Sequence, residues 1–387
     1  MAGLVCRKAT ELTTGEKRGF ADHLVRQALS ENIWDLFGEW IHRGTPEVSF
    51  FYLKVFSGEK LVGLGMFLRI NRLDLRASYS CLRESGVLKT LGAVISRVSS
   101  NSVILSFRNL ITSNHTRPFF FREPEVERAA MQAMLTYLKA DAEADMVTIV
   151  DTSCHSEFYR EAGFDEFPSS SEAWFDVREY REVSEYLARH RSLGNNLKRR
   201  RNRISVEVRQ QALSAVELEQ AKSCVRCSVE HSMVQNPCQR FFEENIFSTE
   251  VFRSSRYVHI LVRVDGLIAG FHTFQVSGLS MGGVLGGFNR EHSRNHFVYE
   301  RVIIASLDYA IKNQLRRVHY SLVDNHTKLR LIDFLEPCGL YFYSRNPVNR
   351  AVFRRTFRYN DVYALSQLER RDPRSDRSAR LRSPGDT

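Results

Sequence analysis

Apolar and polar residues alternate along this chain with two different periods. In RGFADHLVRQALSENIWDLFGEWI the apolar positions recur at helical spacing, which predicts an amphipathic helix broken once. SFFYLKVFSGEKLVGLGMFLRI is two apolar runs around Ser57-Gly58-Glu59-Lys60, the pattern of a β-hairpin. NSVILSF is a further strand. EPEVERAAMQAMLTYLKADAEA opens on acidic residues and a proline and continues in strong helix formers, so a helix is expected there. DMVTIVD reads as a buried strand, and HSEFYREAGF as a short helix closed by Gly163.

The second half repeats that order. ELEQAKSCVRCSVEHSM and CQRFFEENIFS are helical, and RYVHILVRVDGLIAGFHTFQV is a hairpin turned by Asp265-Gly266. SMGGVLGGF is a glycine-rich strand, FVYERVIIASLDYAIKNQL a long helix, RVHYSLV a strand, KLRLIDFLEPCG a short helix and LYFYSR the last strand. KLVG before Gly63 matches LIAG before Gly270. FYREAGFDEF aligns with FLEPCGLYFY, which sets Gly163 against Gly339 at equivalent helix ends. The first copy carries an insertion within NRLDLRASYSCLRESGVLKTLG. An internal repeat of about half the chain follows. The expected layout is a first domain over 1–175, a helical linker over 176–210, a second domain over 211–365 and a disordered basic tail over 366–387.

With 387 residues, two such domains are comfortable, and 43% hydrophobic with 11% aromatic residues excludes global disorder. The net charge is +10, but the stretch from Arg370 onward holds six Arg and three Asp, so only part of the excess lies on folded surface. A polyanionic partner is suggested. No run approaches the roughly 18 apolar residues of a spanning helix, and MAGLVCRKATELTTGEK has too short an apolar core for an export signal, so a cytoplasmic protein is expected. Seven scattered cysteines fit reduced thiols. Cys224, Cys227, His231 and Cys238 would make four zinc ligands, yet their segment is apolar at helical spacing, which reads as buried thiols on one helix, and no metal is expected.

Between the copies lies NNLKRRRNR. Lys198, Arg199, Arg200, Arg201 and Arg203 are five cations in six positions. Such a run is either a solvated helix face or, since consecutive cations wrap most of a turn, a contact surface for a polyanion such as RNA.

Strand, helix, strand and then a short helix carrying Tyr159-x-x-x-Gly163-Phe164 resembles the second half of the GNAT acyltransferase fold. Two copies joined by an Arg-rich helix resemble the tandem GNAT proteins of the FemAB-like and BioF2-like group over residues from about 20 to 360. The specific pieces are FYREAGF, NNLKRRRNR and the run from VDGLIAGFHTF through HFVYERVIIASLDYAI to DNHTKLRL. The resemblance implies an α/β (α+β) fold of two tandem GNAT-like domains, each a mixed, mostly antiparallel twisted sheet flanked by helices. It implies Tyr159 as a general acid toward the leaving thiolate, a role absent from the second copy, where Leu335 takes that place. It also implies that the acyl carbonyl lies between splayed strands and the donor's phosphates lie at the next helix's N-terminus. The chain departs from the family where Arg/Gln-x-x-Gly-x-Gly/Ala would stand: neither NREHSRNHFVYER nor SNHTRPFFFREP, with His115 and Arg117, has those glycines.

Amide formation needs a base, oxyanion donors and an acid for the leaving group. In the second copy, Arg294, Asn295, His296 and the N–H groups of Phe297 and Val298 are the candidate donor-binding set. His296 or Asp324 is the candidate base. Lys328, as an exposed loop residue above the strand ends, is the candidate for acceptor carboxylate or oxyanion. His272, in mid-strand, reads first as a half-buried packing residue, and Asp324 equally as a helix N-cap. The expected activity is acyl or aminoacyl transfer from an acyl-CoA or aminoacyl-tRNA to a small-molecule or peptide amine, with no metal and no membrane insertion. A catalytically inactive scaffold whose Arg199, Arg200 and Arg201 bind RNA or another polyanion is the alternative.

Overall fold

The computed structural model describes residues 3–26, 32–73, 90, 101–106, 118–152, 155–199, 202–232, 245–322, 326–357 and 368–369. The first half supplies β1 (Leu4–Ala9), α1 (Asn32–Arg43), β2 (Val48–Ser57), β3 (Lys60–Leu73), β4 (Asn101–Ser106), β5 (Phe119–Phe121), α2 (Glu127–Ala140), β6 (Met146–Thr152), α3 (Ser156–Glu161), β7 (Asp165–Pro168) and β8 (Glu172–Asp176). After the connecting helices α4 (Val183–Arg189) and α5 (Arg191–Arg199), the second half supplies β9 (Ile204–Arg209), α6 (Ala215–Ser232), β10 (Tyr257–Val264), β11 (Leu267–Ser277), β12 (Ser280–Phe288), α7 (Arg290–His296), α8 (Val298–Lys312), β13 (Arg317–Leu322), α9 (His326–Leu331), β14 (Phe334–Glu336), β15 (Cys338–Ser344) and α10 (Pro347–Phe357). None of the described helices is long and apolar enough to cross a membrane.

Both hairpins form where their turn residues call for them. Gly58 has φ 61, and Asp265 and Gly266 have φ 50 and 84, the left-handed values that a tight hairpin turn requires. Gly63 and Gly270 also stand in equivalent places. A methyl on Gly63 would fall 2.9 Å from the Cβ of Ala130 in α2, and one on Gly270 would fall 2.5 Å from Val298 Cγ1 in α8. Each glycine lets the long helix of its half lie directly on the sheet.

The two halves exchange a strand. The first sheet runs β1-β2-β3-β4-β6-β15-β7, with β5 alongside β3, and the second runs β14-β8-β13-β12-β11-β10-β9. Thus β15, near the chain's end, is enclosed between β6 and β7 of the first half, pairing over its whole length with Met146–Thr152. Reciprocally, β8 lies between β13 and β14 of the second. The expected boundary at 175 therefore falls inside β8, and the expected linker to 210 contains β9, which pairs with β10. Gly339 is a residue of β15 and not a helix end; the helix expected over 328–339 stops at Leu331, and Phe334–Glu336 is a strand. Pro337 separates two short strands that belong to different sheets.

Strand periodicity explains the layering. Phe51, Leu53 and Val55 of β2 pack on Met131, Met134 and Leu135 of α2, with Tyr159 and Tyr341 in the same cluster. Phe50 and Tyr52 face the other way, into a core they share with Trp34, Phe37 and Trp40 of α1. That core extends to Val225 of α6 and to Phe247, Phe252, Leu261 and Phe271 of the second half. A third cluster joins Val258, Ile260 and Val262 of β10 to Val302, Ile303 and Leu307 of α8 and to Phe175 of the exchanged β8. Each buried large apolar side chain contributes about 1.5–3 kcal/mol relative to exposure. Arg43 extends the central contact by donating to Ser248 Oγ at 2.7 Å and Ser248 O at 3.3 Å.

Candidate active site

Among the described residues two strand pairs run parallel, β4 with β6 and β12 with β13. The second of these is short. Ser280, Met281 and Gly282 pair with Arg317, Val318 and His319, after which β12 continues to Phe288 and β13 to Leu322 without partnering each other. The strands part at Gly282 and His319, opening the sheet on the side where β12 leads into α7 and α8.

The corner at the mouth of that opening is strained. Phe297, between α7 and α8, has φ 53 and ψ 44, a left-handed conformation that costs a non-glycine residue about 1–2 kcal/mol. Phe297 itself supplies no side-chain cap to α8. Arg301, one turn into the helix, holds the corner: its Nε donates to His296 O at 2.9 Å, and its Nη2 to Leu197 O at 3.1 Å. The second bond ties the end of α5, where the cationic run begins, to the first turn of α8. Burial lowers the Arg301 pKa from its usual range, and burial raises that of the adjacent Glu300 carboxyl. Asn289 starts α7 by accepting from Glu291 N at 3.0 Å.

Inside the opening lies His272. Leu285 faces Thr273 and Gly283 faces Phe274, so Val284 is an extra residue on β12. This bulge brings Gly283 and Gly286, three positions apart, onto the same side. There a methyl on Gly283 would collide with His272 Nε2, and one on Gly286 would fall 2.9 Å from His272 Nδ1. The glycines make room for an imidazole. The half-buried ring stacks on Phe274 at 4.5 Å and meets Tyr320 of β13 edge-on at 6.2 Å. Tyr320 is itself buried, its hydroxyl hydrogen-bonded to Ser306. Burial drives its pKa well above that of a free phenol.

Lys328 is 5% exposed and donates from Nζ to the backbone O of Tyr320 at 3.0 Å. The expected exposed loop lysine is instead a buried side chain of α9. It satisfies a carbonyl of β13 at the point where that strand slips register against β8, between His319 and Leu322.

In the first half, Tyr159 is fully buried. Its hydroxyl donates to Asp151 Oδ2 at 3.0 Å, and its ring stacks on Tyr341 at 3.7 Å. A phenol in that position presents no exposed atom to a departing thiolate. Beside it, His155 Nδ1 is 2.9 Å from Thr152 Oγ1 and 3.7 Å from Asp151 Oδ2.

Arg301 thus joins His296, before α8, to Leu197 at the end of α5, and Lys328 reaches β13 at Tyr320, while Tyr159 belongs to the other half. Asn295 is exposed and His296 half-buried. Asp324, Arg200, Arg201, His115, Arg117 and Cys238 lie outside the described residues, as do the side chains of Arg199, Arg294 and His231. Cys224 is buried on α6, with its thiol pushed up to about 11 by burial. Arg301 escaped sequence reasoning because it sits in an ordinary helical pattern. The signal for His272 was the glycine-rich strand beside it.

No protein-family model matches the chain, and none of the curated proteins matches it in sequence. Solved structures do match in shape. FemX covers 90% of this chain and 99% of its own, at 11% identity and a TM-score of 0.50. The C-terminal domain (DUF2156) of a putative lysylphosphatidylglycerol synthetase from Agrobacterium fabrum covers 88% and 95%, at 12% identity and a TM-score of 0.50. A tandem GNAT protein from the clavulanic acid biosynthesis pathway covers 89% and 99%, at 13% identity and a TM-score of 0.48. The shared property is the fold: two mixed, mostly antiparallel sheets in tandem, each flanked by helices, as the resemblance to GNAT acyltransferases implied.

Proposed function

We propose that this protein is an acyl or aminoacyl transferase that forms an amide on an amine acceptor, with its chemistry in the second half. One observation carries the reading: β12 and β13 part beyond Gly282 and His319, β12 leads on through α7 to the start of α8, and Arg301 fastens the cationic end of α5 beside that start. A helix N-terminus favours anions through its free N–H groups and dipole. The donor's phosphates are assigned to the backbone over 295–298 with Arg294, and, for a nucleic-acid donor, to Arg199, Arg200 and Arg201 as well. The acyl carbonyl lies in the parting. Lys328 holds the Tyr320 carbonyl, and with it the β13 wall, in place. His296, the last residue of α7, and Asp324 are assigned to the polar part of the donor or acceptor.

A donor series tests this. Acetyl-CoA, palmitoyl-CoA and bulk aminoacyl-tRNA are each added to the purified protein, and thermal stability and amide formation are followed. A true donor at a hundredfold excess over Kd stabilises by about 2.7 kcal/mol. If tRNA binds with no transfer to any amine, the reading falls in favour of a polyanion-binding scaffold. An acyl-CoA effect that survives replacement of Arg199, Arg200 and Arg201 by Gln assigns the donor to the CoA class.

A further inference from the structure

We infer that His272 is the general base that takes the proton from the acceptor amine. This rests on the transferase reading above but not on the nature of the donor. Three observations place the imidazole at the reacting centre. It sits level with Gly283 and Gly286, just past Gly282, the last β12 residue paired with β13, so it lies at the apex of the parting. On β11 it is two positions from Gly270, over which Val298 begins α8, so base and anion site share one face of one strand. A bulge and two glycines accommodate it, although glycine within a strand costs about 0.5–1 kcal/mol relative to alanine. A side chain that merely filled core space would need none of these devices, because Val or Leu over ordinary β-residues packs the same layer. The residue as a whole is half-buried, and Nδ1 is its buried nitrogen, which leaves Nε2, beside Gly283, as the nitrogen that takes the proton.

The step balances as follows. The acceptor nitrogen attacks the carbonyl carbon, a C–N bond forms, and the C–S bond of a thioester or the C–O bond of an ester breaks. The proton passes from nitrogen to the His272 imidazole and on to the departing thiolate or alkoxide, which leaves as the neutral thiol or alcohol.

The test compares His272→Gln and Gly286→Ala with the wild type, using whichever of acetyl-CoA, palmitoyl-CoA or aminoacyl-tRNA stabilises the wild type. Two acceptors are used: an alkylamine with a pKa near that of lysine, about 10.4, and hydroxylamine, which is largely unprotonated at neutral pH. Removal of a general base costs about 100-fold or more. Both variants should lose that factor with the alkylamine, lose less than tenfold with hydroxylamine, and keep the donor-induced thermal shift. Gln removes the base, whereas the alanine methyl only displaces it, so agreement between the two excludes a simple folding defect. Equal losses with both acceptors, or unchanged rates, overturn the assignment of His272. Absence of donor binding and of turnover in the wild type overturns the transferase reading itself, and this assignment with it.

Discussion

Tyr341, on a strand that reaches the first sheet from the far end of the chain, lies flat on Tyr159 with ring centroids 3.7 Å apart. The packing of a helix on its sheet is here completed by a residue outside the first half's own sequence. Tyr159 is accordingly a structural residue of that half in this arrangement, and its hydroxyl is committed to Asp151.

Tyr159→Phe should therefore cost stability more than rate. Removing the donor from a buried carboxylate costs about 1–3 kcal/mol. Urea denaturation should show a midpoint shift of that size, with turnover per folded molecule near normal. A large loss of turnover in fully folded protein would move the chemistry to the first half.

Lys328→Met should also destabilise, because it leaves the Tyr320 carbonyl without the Nζ donor seen at 3.0 Å. The expected cost is about 1–3 kcal/mol, read as a lower melting temperature. A stability like that of the wild type would mean that Lys328 is held there for chemistry alone.

Space, and not backbone freedom, explains Gly283 and Gly286, since neither has a positive φ. Gly283→Ala and Gly286→Ala should each destabilise the wild type, yet be neutral or stabilising in a His272→Ala background. A double-mutant cycle measures this coupling, and an interaction energy below about 0.5 kcal/mol would contradict it.

Stability should fall on acidification in two stages. Burial, reinforced by the nearby Arg209, depresses the His259 pKa from 6.5 to about 4. Glu217 is raised by burial, but bonds from Ser214, Arg209 and Arg263 outweigh this and bring its carboxyl from 4.5 to about 2. Both groups bind fewer protons folded than unfolded, so each contributes stability above its unfolded pKa that is lost as pH falls through the folded one. His259→Gln should flatten the curve between about pH 6.5 and 4, and Glu217→Gln should flatten it below about pH 4.5. Chemical denaturation across that range reads both slopes.

Local chemistry made much of this fold legible. Asp265-Gly266 and Ser57–Lys60 specify their hairpins through turn residues, and Gly63 and Gly270 mark the repeat because a helix must approach each sheet. The strand exchange left no such mark. LYFYS has the same alternation whichever sheet receives it, and its pairing with Met146–Thr152 depends on partners distant in sequence. Aligning Gly163 with Gly339 failed for that reason: a helix-capping glycine with φ 80 and a strand glycine look alike in a string of letters. At the site, a turn before the long helix α8 was readable from the sequence. The burial of Lys328 was not, since nothing local shows that a carbonyl of the preceding strand needs a donor. His272 acquires meaning only once the bulge at Val284 turns two glycines toward it.

The exchanged strand also sets an order of events during synthesis. On the ribosome, β6 and β7 emerge long before β15, and until β15 is released β6 is an open edge of the first sheet and β7 lacks the strand it pairs with. The N-terminal half is therefore obliged to wait for nearly the whole polypeptide before its hydrogen-bond ladder closes, and exposed strand edges invite pairing with other chains. Nascent-chain folding should thus be late and sensitive to holdase chaperones, despite the short-range helices that the first half completes early.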